Sequence, residues 1–383
     1  MSNFTHAFKG PTPRARALLG IFSHSYVDIL PHIRIGPGKR PDGGLCHIMH
    51  QRTLGRSGIE LSEIGFGVWT VSTGWWGKYT EEEASVILRN AFDHGITFFN
   101  TANVYGENGY GEKLIASALA DVRDQITVAT TVGYDVDAPR PDSHGGHSER
   151  PHDWSADNVQ RSLERSLTNL GVDCIDVWQL HNPRMDAFRD DALWNQFDEF
   201  KRQGLIKSIG PSMGPAIGWR EEGLFAIRER DIDFVHHIYN VLEQEPGRDF
   251  TDEAGDREIG VLVRVPHSSG LLEGKYTKDT TFDANDHRSH RTKAWLEEGL
   301  YKVEQLQFLL EGRDEATIGQ VALKWLLADP AVTSVLPNIY SVEQIEEFAA
   351  APDIDEFDAD ELGDIDMLYR SNFGLEREPA GVR

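Results

Sequence analysis

From Gln51 onward, short apolar runs alternate with amphipathic segments eight times over. The runs fall at 62–69, 96–102, 126–133, 175–181, 206–212, 233–240, 259–265 and 333–338. They are apolar on both faces, as parallel strands covered by helices on the outside must be. Helices are predicted between them. "TEEEASVILRNAFDHG" has Thr80 as N-cap, acidic residues in its first turn and Gly95 as its stop. Further helices are expected around 111–120, over 155–171 with Ser155 as cap, and around 191–203, 220–230 and 315–330, with two more closing the chain. Between 240 and 259 the helical pattern is too short to place. Eight such units specify a (β/α)8 TIM barrel. A doubly wound open sheet is the alternative, and no G-x-G-x-x-G follows the first strand to support it. "RTLGRSGIELSEIG" reads as a β-hairpin with Gly58 near its turn, placed to close the bottom of the barrel.

The 383 residues, 39% of them hydrophobic, suffice for one large domain or two ordinary ones. Sixty-two acidic residues against 38 basic ones leave a formal charge of −24, and the basic set is 27 Arg and 11 Lys. Excess carboxylate with scarce lysine suits a halophilic interior, where a Debye length of a few Å screens self-repulsion. An ordinary acidic enzyme carries the same sign. The charge argues against nucleic acid and anionic membranes as partners. Two cysteines, Cys46 and Cys174, give no disulfide framework and suit a reducing cytoplasm. No apolar run reaches the roughly 20 residues of a membrane span, and no signal-peptide pattern opens the chain.

Residues 1–48 differ from the rest. Lys9, Arg14, Arg16, Arg34, Lys39 and Arg40 face only Asp28 and Asp42, with turn-rich stretches between. This basic extension is expected either to be disordered or not to belong to the native chain, whose start would then be Met49. The barrel is expected over 49–383. The long loop 134–154 is expected over the C-terminal mouth. Its His144, His147 and His152 match no zinc spacing, so no metal is expected.

Barrels of this kind carry their chemistry at the C-terminal strand ends. There the sequence offers Asn100 and Tyr105, Thr131, His181, Ser212, His236, Arg264, Pro266 to Gly270, and the stretch Asn338 to Glu347. A tyrosine and a histidine converging on one mouth make an acid pair for an electrophile. Trp69, Trp75 and Trp76 follow the first strand and offer a wall for an apolar or sugar face, or packing for that loop.

"IGFG" at 64–67, "TANVYG", "QLHNP" at 179–183, "IGPSM" at 209–213, "PHSSGLLEGKY" at 266–276 and "LPNIYSVEQIEE" occur in order across 52–370. Together they resemble the signature blocks of the aldo-keto reductases. The resemblance implies reduction of a carbonyl by NADPH or NADH without metal. It also implies a tyrosine acid supported by a histidine, a lysine and an aspartate. Tyr105 and His181 match the first two, whereas the aspartate position is Asn100 and the lysine position is Thr131. Losing one charge alone would leave the other buried and unpaired, at about 3–5 kcal/mol; here both partners are neutral. Without the lysine, Tyr105 should stay a phenol, with His181, if protonated, as a further proton source.

For the cofactor, Ser212 matches the residue on the nicotinamide amide, His236 stands where glutamine is usual, and Arg264 where a stacking ring is common. Pro266, Ser269 and Gly270 belong to a loop whose N–H groups suit a pyrophosphate. Asn338, Ser341, Gln344 and Glu347 are the candidates at the adenosine end; of these only Glu347 matches an adenine-contacting acid, and no cation stands ready for a 2′-phosphate, so NADP and NAD stay open. The expected function is interconversion of a small aldehyde, ketone or sugar carbonyl with its alcohol. The alternatives are a weak or inactive cofactor-sensing barrel, and a non-redox lyase or isomerase using the same mouth.

Overall fold

The computed structural model describes residues 49–138, 150–214, 216–284 and 286–375. The readings made of segment 1–48 and of His144 and His147 fall outside them. The barrel strands are β3 (Phe66–Gly67), β4 (Phe98–Asn100), β5 (Thr127–Val132), β6 (Ile175–His181), β7 (Ile206–Ser212), β8 (Phe234–Ile238), β9 (Gly260–Arg264) and β10 (Val332–Leu336). They pair in that order, all parallel. Closure comes just ahead of β3, where Ile64 bridges Val335 and the Gly65 and Val335 amides donate to Val335 and Glu63 carbonyls at 2.9 and 2.8 Å. The expected strand 62–69 is thus largely a bridge rather than a long strand, because Ser62 is taken by the hairpin.

That hairpin pairs β1 (Gln51–Thr53) with β2 (Glu60–Ser62). Its Leu54 and Leu61 pack, fully buried, on Phe98, Ala129, Val177, Phe234, Leu262 and Leu336, one inward side chain from each of six strands. Each large side chain so buried contributes about 1.5–3 kcal/mol. Gly55, at φ +51°, lies against backbone: a Cβ there would stand 2.4 Å from the Gly260 nitrogen. Only glycine fits both that conformation and that approach. Arg52 locks the hairpin, donating to Glu63 at 2.5 Å and to the carbonyls of Leu327 and Val332 at 2.8 Å. The hairpin therefore plugs the N-terminal end of the barrel, and the opposite end stays open to chemistry.

The outer ring follows the caps read in the sequence. Helix α1 (Trp69–Ser72) is a single turn; α2 (Glu81–Asp93) starts on a Thr80–Glu83 capping box. Next come α3 (Tyr110–Ala118) and α4 (Ala156–Leu170), the latter capped by Ser155 and ended by Gly171 in the left-handed region. Helices α5 (Met185–Arg189), α6 (Asp191–Arg202) and α7 (Arg220–Glu229) follow. The stretch too short to place holds α8 (Gly247–Gly255). A helix not expected from the sequence, α9 (Lys293–Glu304), lies beyond a long excursion after β9, with Thr292 as its cap. Helices α10 (Ile318–Leu327), α11 (Val342–Ala349) and α12 (Ala359–Arg370) complete the chain.

Candidate active site

Side chains two apart on a strand point the same way, so each apolar plug residue has a successor one layer nearer the mouth. Above Phe98 stands Asn100, above Ala129 Thr131, above Val177 Gln179, above Phe234 His236, and above Leu262 Arg264. The barrel thus changes from apolar to polar within one layer. Arg264 is the only one of these successors that carries a fixed charge.

Tyr105 sits in the loop after β4, held by its amide on the Ala102 carbonyl and its carbonyl under the Gly111 amide, both at 3.0 Å. Its ring stands edge-on to His181, the last residue of β6, with centroids 6.2 Å apart. The crowded setting raises the Tyr105 pKa, and the Arg264 cation opposes that rise only in part. Tyr105 is therefore a phenol, as the missing lysine suggested. His181 differs from the expectation. Burial first, then Arg264 and His152, push its pKa down to about 3, so it is neutral and cannot act as a second proton source near pH 7.

The two altered positions have separate partners. Thr131 Oγ1 lies 3.2 Å from His181 Nδ1 and 3.2 Å from Asn103 Oδ1, so the hydroxyl orients the histidine. Asn100 Oδ1 instead accepts from Gln179 Nε2 at 2.7 Å, and Gln179 Oε1 meets His236 Nδ1 at 2.7 Å. Gln179 and Asn103 are site residues the sequence reading passed over. Both lie inside motifs already in view, "QLHNP" and "TANVYG", where the flanking His181 and Tyr105 drew attention first. His236 is buried and neutral; desolvation, then Arg264, hold its pKa well below the usual value. Ser212, paired with His181 and His236 across the sheet, ends β7 beside them. Arg264 reaches across to donate to the Met213 carbonyl at 2.7 Å.

Two aromatic walls flank this mouth. On one side Tyr134, His152 and Trp154 stack in sequence, with ring centroids 4.4 and 5.4 Å apart. Tyr134 also lies 4.8 Å from His181, and His152 Nε2 meets the His181 carbonyl at 2.9 Å. Gly133, at φ +131°, makes room for Trp154, whose ring would be 2.3 Å from a Cβ there. His152 is thus a stacking group, and no cluster able to hold a metal occurs among the described residues. On the other side Trp69, Trp75 and Trp76 largely seat the excursion after β9. His287 lies parallel to Trp75 at 5.9 Å and edge-on to Trp69 at 5.0 Å, and the Arg288 guanidinium covers Trp76 at 4.3 Å.

The loop holding Pro266, Ser269 and Gly270 uses most of its amides internally. Ser268, Gly270, Leu271, Leu272 and Glu273 all donate to carbonyls of 265–270, and the His267 and Ser269 amides are the exceptions. A cation the sequence reading missed comes instead from the excursion: Arg291 donates to Ser269 Oγ at 3.1 Å, and its buried Nε has no partner. Gln344 donates to the buried Glu273 carboxylate at 3.1 Å and accepts from the Tyr340 amide at 2.9 Å. Ser341 caps α11. Asn338, nearly buried, ends the turn after β10. Glu347 accepts from Thr317 at 2.7 Å, and Lys275 stands 3.9 Å from its other oxygen. Tertiary structure thus brings the Arg291 cation to Ser269 from 22 residues further along the chain.

This barrel brings a tyrosine and a histidine together at its C-terminal mouth. Residues 63–370 match the sequence profile of the aldo/keto reductase family, and the chain belongs to that family. It is 28% identical over 310 residues to aldo-keto reductase YhdN of Bacillus subtilis, covering 78% of this chain and 87% of that one. It is 29% identical over 338 residues to the L-glyceraldehyde 3-phosphate reductase of Escherichia coli, covering 83% and 92%. The holo structure of aldo-keto reductase AKR11C1 from Bacillus halodurans superposes with a TM-score of 0.67 at 24% identity, over 84% of this chain and 96% of that one, which bears on the fold alone. No helix among the described residues is long and apolar enough to cross a membrane.

Proposed function

We propose that this chain interconverts a small carbonyl compound and its alcohol, using NADPH or NADH. The observation that carries the reading is the Tyr105–His181 pair, edge-on at 6.2 Å, at the open end of a barrel whose other end is plugged. The mouth fits a nicotinamide: His236 Nε2 is buried without a partner, Ser212 ends the neighbouring strand, and Arg291 offers an unpartnered Nε beside Ser269. When bound, the cofactor supplies or takes the hydride. The chain's own residues do the rest. Tyr105 Oη–H donates to the carbonyl oxygen and gives it the proton as charge develops there. His181, neutral and fixed through Thr131, shapes the oxygen site without supplying a proton. Arg264 adds a fixed positive charge to the mouth, stabilising the developing oxyanion. The wall of Tyr134, His152 and Trp154 limits water beside His181.

The similarity to a reductase of L-glyceraldehyde 3-phosphate supports a small, polar aldehyde as substrate. The charge of −24, with 11 Lys among 38 basic residues, supports action in a cytoplasm rich in salt. The test is a titration of NADPH and NADH into the full chain in molar KCl, following nicotinamide fluorescence, and then a carbonyl panel. Saturable binding with turnover lost in Tyr105→Phe supports the proposal. Absence of binding to both cofactors at millimolar concentration removes hydride transfer, and binding without turnover leaves a sensing barrel.

A further inference from the structure

Asn100, Gln179 and His236 come from β4, β6 and β8, that is, from alternate strands of the barrel. Each stands two residues after a plug residue, Phe98, Val177 and Phe234, so the three share the layer directly above the apolar floor. They are 9%, 0% and 2% exposed, and they touch in line: Asn100 Oδ1 to Gln179 Nε2 at 2.7 Å, Gln179 Oε1 to His236 Nδ1 at 2.7 Å. Because Gln179 Nε2 is spent on Asn100, the atom facing His236 is the amide oxygen, an acceptor. A neutral imidazole must then carry its proton on Nδ1, which leaves Nε2 as a bare lone pair. That Nε2 is buried and has no partner among the described residues, which is uncommon in a folded protein and marks a place suited to a donor.

We propose that Asn100 and Gln179 are positioning residues that fix the tautomer of His236, so that its Nε2 accepts a hydrogen bond from an amide N–H of the ligand. Position 100 has thereby exchanged one task for another. Its carboxamide no longer balances a lysine, since position 131 is Thr131, bonded to His181; it terminates a relay aimed at the other side of the mouth. An asparagine serves this better than an aspartate would, because every member of the relay stays neutral and no buried charge needs a counter-ion. This inference rests on the nicotinamide reading for the identity of the donor, the carboxamide NH2. The tautomer itself does not depend on it.

The first arm of the test uses the wild-type chain without cofactor: 15N NMR of the imidazoles, with the His236 pair assigned by its loss in His236→Phe. The expected result is a protonated Nδ1 and an unprotonated Nε2 that persist from about pH 5 to pH 8, bracketing the ordinary histidine pKa. The reverse tautomer overturns the proposal. The second arm compares binding of NADH with reduced 3-acetylpyridine adenine dinucleotide, which keeps the ring carbonyl and replaces the NH2 by methyl. Wild type should prefer NADH by about tenfold, the worth of one hydrogen bond. Gln179→Met, close in volume but unable to fix the imidazole, should bring the ratio near one. An unchanged ratio overturns the proposal. If neither dinucleotide binds, hydride transfer and the carboxamide assignment fall together, and the relay is judged on the tautomer alone.

Discussion

The two ends of the barrel solve opposite problems with the same strands. At the closed end, Phe98, Val177, Phe234 and Leu262 meet the hairpin leucines, and the charges around the rim are matched. Asp176 takes Arg123 and Lys207 at 2.9 and 2.6 Å, and Asp233 takes Lys201 at 2.8 Å. At the open end, one layer higher, the same strands present Asn100, Thr131, Gln179, His236 and Arg264, and His236 Nε2 and Asn103 Nδ2 are left without partners. A buried polar atom without a partner costs about 1–3 kcal/mol, a loss the packed floor offsets. Stability and chemistry are therefore separated along each strand by about two residues. Packing stability belongs to the floor, and ligand demand belongs to the mouth.

Substitutions at the two ends should separate in what they change. Tyr105→Phe should lower turnover by about 10²–10⁴-fold while moving Tm little, since the hydroxyl makes no hydrogen bond among the described residues; steady-state rates and calorimetry check both halves. Phe234→Ala, at the floor, should cost about 3–5 kcal/mol of stability in a chemical denaturation with KM close to wild type. A large KM change there would break the separation of the two ends.

Thr131→Lys alone should destabilise by about 3–5 kcal/mol, because it buries a charge beside the neutral His181 and Asn103 rather than a carboxylate. Adding Asn100→Asp should recover part of that loss, and a double-mutant cycle measures how much the two positions still couple. Strict additivity would mean that each now answers only to its own partner, Thr131 to His181 and Asn100 to Gln179.

The pH response should sharpen the same contrast. His181, at about 3, and His237 and His267, at about 4, all titrate below the ordinary histidine value in the folded chain. Between those values and about 6.5 the unfolded chain binds more protons, so stability rises with pH through that window and is lost as pH falls through it. Thermal unfolding followed across this range should show that slope. The kcat/KM of the reaction should show no histidine step near pH 6.5, as His181 stays neutral on both sides of it. The smallest effect expected is that of salt: Tm should rise as KCl is added from low concentration, and level off once the Debye length falls to a few Å. A salt-independent Tm would remove the halophilic reading of the −24 charge.

The alternation of apolar runs and capped helices was enough to read the barrel, because both periodicities are local and Thr80, Ser155 and Gly171 mark boundaries by their own conformational preferences. The hairpin plug was legible for the same reason. Helix α9 was not, although Thr292 caps it, since its sequence lies in a long excursion whose place is set by contacts with Trp75 and Trp76. In the mouth, Tyr105, His181, Asn100 and Thr131 were named from their motifs, but their partners could not be. Gln179 is an ordinary strand residue until β4, β6 and β8 close around one axis. Arg291 is one of 27 arginines until the excursion sets it against Ser269, 22 residues back along the chain.

What the sequence by itself determined is therefore what depends on neighbours within a turn or a strand: the type of each element, its boundaries and the order of the elements along the chain. Which polar groups meet, that His181 is neutral, and that His236 is left with a bare nitrogen were decided by tertiary structure alone. Hydrogen-bond partnership and desolvation depend on distances across the barrel, and those are set only when the eighth strand closes on the first.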